Sequence, residues 1–71
     1  EAPDGLVARL EAAIGSVRYA VHYTHASSYA DGWCSFAERV ITVRAALTGA
    51  DRAAVLCHEL AHALAHDPAR T

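Results

Sequence analysis

Between Thr48 and Pro68 the chain reads as one long helix, and in a sequence of 71 residues everything before it must supply the surface that helix packs on. Thr48 followed three positions later by Asp51 resembles a capping box with Asp in place of the usual Glu, and Gly49 fits the first turn. Pro68 disfavours helical backbone at Asp67, so the spacing predicts a helix from about 49 to about 65. At about 100° per residue, Ala53, Leu56, Cys57, Leu60 and Leu64 fall on one arc, the expected packing face. His58, His62 and His66 fall on a second arc, with Val55 among them and Glu59 at its edge. The histidines therefore line a polar stripe apart from the core.

The rest of the chain reads as one further helix and three strands. Asp4 is a suitable N-cap; Leu6, Leu10, Ala13, Ile14 and Val17 recur at helical spacing, and Gly15 is placed to stop that helix. The period then changes to two, with Val17, Tyr19, Val21 and Tyr23 alternating against Arg18, Ala20, His22 and Thr24. His25 to Ser28 form a polar loop, Asp31-Gly32 a turn, and Trp33 to Phe36 a short β-prone run. Ala37-Glu38-Arg39 is the next turn, and Val40-Ile41-Thr42-Val43-Arg44 is β-branched enough to be a strand. The expected fold is a single α+β domain over residues 1–71: N-terminal helix, three-stranded antiparallel sheet with its last two strands as a hairpin, C-terminal helix. Tyr29, Trp33 and Phe36 are expected in the core or on a sheet face. His22 and His25 should face solvent, and Arg39 and Arg44 should be turn or edge charges that discourage sheet-to-sheet association.

Composition narrows the functions open to such a chain. An apolar fraction of 54% with 20% charged residues belongs to a folded domain. A domain this short buries only about 60% of its unfolded surface, so a bound metal or a partner would help its core. A net charge of −2 offers no basic field for nucleic acid or a membrane surface, and no apolar run approaches the roughly 20 residues that span a bilayer. The acidic start Glu1-Ala2-Pro3-Asp4 shows no signal peptide, and the expected location is cytoplasmic. Cys34 and Cys57 lack a Cys-x-x-Cys spacing and are expected to be free, largely buried thiols. Five histidines are the one compositional excess, and they direct attention to metal chemistry.

His58 and His62, four apart, lie about 6 Å from each other on a helix, and imidazoles at that spacing can converge on one tetrahedral zinc. Glu59 points about 100° away from His58 and is placed instead to take a proton from water at the open metal position. These are the expected roles: His58 and His62 as ligands of Zn2+, Glu59 as general base. His66 lies about 12 Å along the helix from His58 and could join the same ion only if the helix unwinds after Ala63.

The stretch from about Tyr29 to His66 resembles the ImmA/IrrE-like zinc metallo-endopeptidases and the peptidase half of ArdC-type antirestriction proteins. The resemblance rests on Val40 to Arg44, on Ala54-Val55-Leu56, and above all on His58-Glu59-Leu60-Ala61-His62-Ala63-Leu64-Ala65-His66. It implies a zincin-like fold with a gluzincin-type site, and peptide or protein substrates lying along the sheet edge as an added strand. It also implies action on repressors or other regulatory proteins. In that family a third protein ligand, usually a Glu, comes from a further helix, whereas here only Asp67 to Thr71 follow the motif. Two expectations result: a fragment whose ligand-bearing helix lies beyond Thr71, or a site completed by His66, Asp67, His25 or Cys34. The alternative function is a zincin-fold interaction module that does no chemistry.

Overall fold

The computed structural model describes residues 5–25 and 31–68. The elements run α1 (Leu6–Ser16), β1 (Ala20–Thr24), β2 (Gly32–Ser35), β3 (Val40–Arg44) and α2 (Gly49–His66), so the α+β class and the element order follow the pattern of the sequence. Asp4, Tyr29 and the loop residues Ala26 to Ser28 lie outside the described residues.

The sheet is mixed rather than antiparallel. β2 and β3 form the expected antiparallel hairpin, registered from Gly32↔Val43 to Ser35↔Val40. β1 pairs with the other side of β3 in parallel, from Ala20↔Val40 to Thr24↔Arg44, giving the order β1-β3-β2. A period of two fixes which residues share a face and leaves the neighbour and its direction open. The centre falls to β3, whose Ile41, Thr42 and Val43 are all buried, as a strand covered on both edges requires. Arg44 is accordingly no edge charge: it ends the central strand and pairs with Asp31 at 2.9 Å. Arg39 does sit in a turn, at φ 57°.

Both helices lie on one face of the sheet, α1 against β1 and α2 against β2 and β3, and they also touch each other. Ile14, Tyr19, Ile41, Val43, Leu56 and Ala63 form the buried cluster between the layers. Each large aliphatic removed from water there contributes roughly 1.5–3 kcal/mol. Among the described residues no helix is long and apolar enough to cross a membrane.

Gly15 does not stop α1. The helix runs one residue past it, and Arg18 takes the left-handed conformation at φ 70°. The Tyr19 amide donates to the Ile14 carbonyl at 3.2 Å and the Arg18 amide to the Gly15 carbonyl at 3.0 Å, the paired bonds of a Schellman ending. That ending brings Tyr19 back over Ile14, and both are buried in the same cluster. Packing of this pair outweighs the strain of a non-glycine residue at positive φ.

α2 begins where its sequence indicates, but without a capping box: Thr48 makes no side-chain cap bond, and Gly49 enters the helix at φ 54°. Arg52 fixes this end instead. Its guanidinium donates to the carbonyls of Leu47 and Ala45, each at 2.9 Å, and lies over the Tyr23 ring at 4.4 Å. The packed face of α2 also differs from the expected arc, because Ala53, Leu56, Glu59 and Ala63 are buried. Relative to the apolar arc the helix is turned by roughly 70°. Leu64 stays 47% exposed and Cys57 is an exposed free thiol rather than a buried one. Small residues explain the turn, since Ala53 and Ala63 let the helix approach the sheet more closely than Leu64 would.

A buried bond closes the domain. The Tyr19 hydroxyl donates to the carboxylate of Asp67, the C-cap of α2, which is 1% exposed, and the Tyr23 hydroxyl donates to Glu11 of α1. Burial first, then the bonded carboxylate, pushes each phenol up to about 12. A phenol raised in the folded state contributes its full stability below its unfolded value of about 10 and loses it as pH climbs toward 12. Urea unfolding is therefore expected to show stability falling between pH 10 and 12 as the two phenols ionise. Tyr19→Phe should cost about 1–3 kcal/mol at neutral pH and flatten that fall. An alkaline limb unchanged in Tyr19→Phe would show that the bond contributes nothing.

Candidate metal centre

Because α2 is unbroken from Gly49 to His66, its one-turn spacing acts directly on the histidines. The Nε2 atoms of His58 and His62 lie 3.0 Å apart, and the ring planes are nearly perpendicular at 89°. Two nitrogens bound to one tetrahedral zinc at about 2.0–2.1 Å are about 3.3 Å apart, so both lone pairs reach a common point after a small adjustment. His58 is exposed and His62 partly so, which leaves that point open to solvent. The donors fit two of the four positions of a zinc site.

Glu59 is 6% exposed, buried under β2. The cause is Gly32: a Cβ there would stand 2.6 Å from Val55 Cγ1 and 2.9 Å from the Thr42 carbonyl oxygen. With only a hydrogen in that place, β2 settles onto α2 and covers the Glu59 side chain. Two clefts meet at this contact. One, of about 390 Å³, is lined by Gly32, Trp33, Cys34, Phe36, His58, Glu59 and His62. The other, of about 290 Å³, is lined by Asp31, Gly32, Ala54, Val55, His58 and Glu59. His58 and Glu59 face both.

β2 is an edge strand among the described residues, and the direction of its main chain can be derived. The Arg44 amide donates to the Asp31 carbonyl at 2.8 Å, so Asp31 turns its peptide groups toward β3. Alternate residues of an antiparallel strand bond the same neighbour, which turns Gly32 and Cys34 toward the open edge. These are also residues that line the clefts.

The candidates for a third ligand fare differently. Asp67 is inside the core, accepting the Tyr19 hydroxyl, and not in the cleft. His66 is exposed on intact helix, with its ring centroid 5.4 Å from that of His62, so the unwinding it needed has not occurred. His25 follows β1, on the sheet edge opposite β2. Cys34 does line the cleft, although burial and then the carboxylates of Glu59 and Asp67 push its thiol up, which keeps it protonated at neutral pH. Among the described residues no three His, Cys, Asp or Glu side chains converge as a metal site.

No protein-family profile, curated protein or solved structure matches the chain. Sequence spacing located His58, Glu59 and His62. It did not locate Gly32 and Phe36, which were read as a turn residue and a packing aromatic; only strand order brings them to the histidines.

Gly32→Ala should test the contact that buries Glu59. Restricting the unfolded chain favours alanine by about 0.4–1 kcal/mol where there is room, but the overlap with Val55 and Thr42 costs typically 1–3 kcal/mol. Urea unfolding is expected to show net destabilisation, partly recovered when Val55→Ala is added. Unchanged stability in Gly32→Ala would mean that β2 is not held this closely.

Proposed function

We propose that this chain is a zinc-dependent metallopeptidase domain, of the kind suggested by its resemblance to ImmA/IrrE-like endopeptidases, acting on peptide or protein substrates in the cytoplasm. The observation that carries the reading is the 3.0 Å separation of the His58 and His62 Nε2 atoms, with Glu59 lining the same cleft. A helix bearing histidines for solubility alone would not need its paired nitrogens aimed at one point beside a buried carboxylate.

His58 and His62 would hold the ion through Nε2. When bound, zinc supplies Lewis acidity and lowers the pKa of water from about 16 to about 7. Glu59 follows His58 directly, so its carboxylate is offset from the ligand pair and free to accept a proton from water at that point. The hydroxide so formed would add to the peptide carbonyl carbon, and Glu59 would return the proton to the nitrogen as the C–N bond breaks, leaving a carboxylic acid and an amine as products. β2 keeps bulk water from Glu59, and the outward peptide groups of Gly32 and Cys34 are suited to hold an extended substrate as an added strand.

A second reading keeps the metal and the fold without the chemistry. Its support is that Asp67, the carboxylate nearest in sequence to the motif, is committed to Tyr19 inside the core. The two are separated by Glu59→Gln measured against the unaltered chain in the presence of zinc. The peptidase reading expects unaltered protein to cleave an unstructured protein substrate. It expects Glu59→Gln to lower that rate by about 10²–10⁴-fold while zinc affinity stays within a few-fold. Zinc bound by both proteins with turnover by neither establishes the interaction module.

A further inference from the structure

The two clefts beside β2 share Gly32, His58 and Glu59, so His58 and Glu59 stand where they meet, while His62 lines the larger one alone. Their remaining walls differ in chemistry. The 390 Å³ cleft adds Trp33, Cys34 and Phe36 together with His62. The 290 Å³ cleft adds Ala54, Val55 and Asp31, the last already paired with Arg44 at 2.9 Å. Both volumes are near the lower end of the roughly 300–1,000 Å³ typical of ligand pockets, room for a side chain or two.

Strand geometry sets which side chains enter. Residues of a peptide added beside β2 alternate in direction and advance about 3.3 Å each, so alternate side chains turn toward α2. One such side chain on each side of His58 meets a cleft. Trp33 remains 41% exposed at the first cleft, and Phe36 is half-buried there, its other side packed on the core cluster. A large aromatic left in water beside a cleft gains by being covered with an apolar group.

We infer that the 390 Å³ cleft is a subsite for one bulky apolar side chain of an extended peptide, and that Phe36 sets this preference. The inference rests on the metallopeptidase reading and adds the substrate class to it: unfolded segments with Phe, Leu or a similar residue next to the bond at the histidines. The other cleft has the apolar side chains of Ala54 and Val55 but no Phe or Trp ring, so the contribution assigned to Phe36 falls on the first cleft alone.

The test uses Glu59→Gln protein with zinc, to prevent turnover, and a set of fluorescent Ala-rich octapeptides differing at one central residue: Phe, Leu, Gly or Lys. Anisotropy titrations should give affinities at least about 10-fold tighter for Phe and Leu than for Gly and Lys, the scale on which a hydrophobic pocket discriminates. Adding Phe36→Ala should reduce that ratio to about 3-fold or less, whereas Leu64→Ala, on the exposed outer side of α2, should leave it intact. The ratio of two peptides on one protein does not depend on the folded fraction. Trp33→Ala, at an exposed position, should lower the ratio too and decides the matter if Phe36→Ala does not fold. A ratio near one in the parent, or one unmoved by both cleft substitutions, overturns the subsite while leaving the metallopeptidase reading in place. Absence of binding by every peptide, in a protein that also takes up no zinc, overturns both.

Discussion

The close seating of β2 on α2 at Gly32 decides the character of this domain. A hydrogen there, where any other residue would place a carbon 2.6 Å from Val55, brings an edge strand down over Glu59. The same contact sets the two clefts on either side and leaves the outward peptide groups of Gly32 and Cys34 running past the histidine pair. A carboxylate next to two imidazoles on a free helix would be a solvated surface group. Under β2 it becomes a buried carboxylate beside an exposed imidazole pair.

That seating depends on how α2 is held at each end. Arg52 binds the first turn to the loop carbonyls of Ala45 and Leu47 and to the Tyr23 ring, while Asp67 binds the last turn to Tyr19. Tyr19 is placed by the ending of α1, whose 3.2 Å bond to Ile14 returns the chain over the core. The two anchored ends fix the rotation of α2, and its rotation fixes which side of the histidine stripe meets β2. In so small a domain the core is thin, and burial of Ile14, Ile41, Val43 and Leu56 has to be supplemented by such bonds.

Much of this was legible in the residues, for identifiable reasons. Val40 to Arg44 is a strand at its expected limits because β-branched residues crowd it, and α2 begins and ends close to where Thr48, Gly49 and Pro68 mark it. That His58, Glu59 and His62 lie together at one cleft could be read because their relation is set within about one helical turn. What depended on partners from afar was not legible. Alternation along β1 could not say that it joins β3 in parallel, since that follows from the buried centre going to β3. The apolar arc through Leu60 and Leu64 misplaced the face of α2, because hydrophobicity ranks leucine over alanine while Ala53 and Ala63 are among the residues buried on that helix. Asp67 seemed available as a ligand until Tyr19, far earlier in the chain, was seen to hold it.

The central claim is that His58 and His62 grip one divalent ion together through Nε2. Zinc titration followed by the imidazole ¹⁵N resonances tests it most directly. The account predicts that the Nε2 signals of His58 and His62 move together and saturate at one equivalent of zinc, while those of His22 and His25 stay in place. Independent movement of the two rings, or none at stoichiometric zinc, would contradict it.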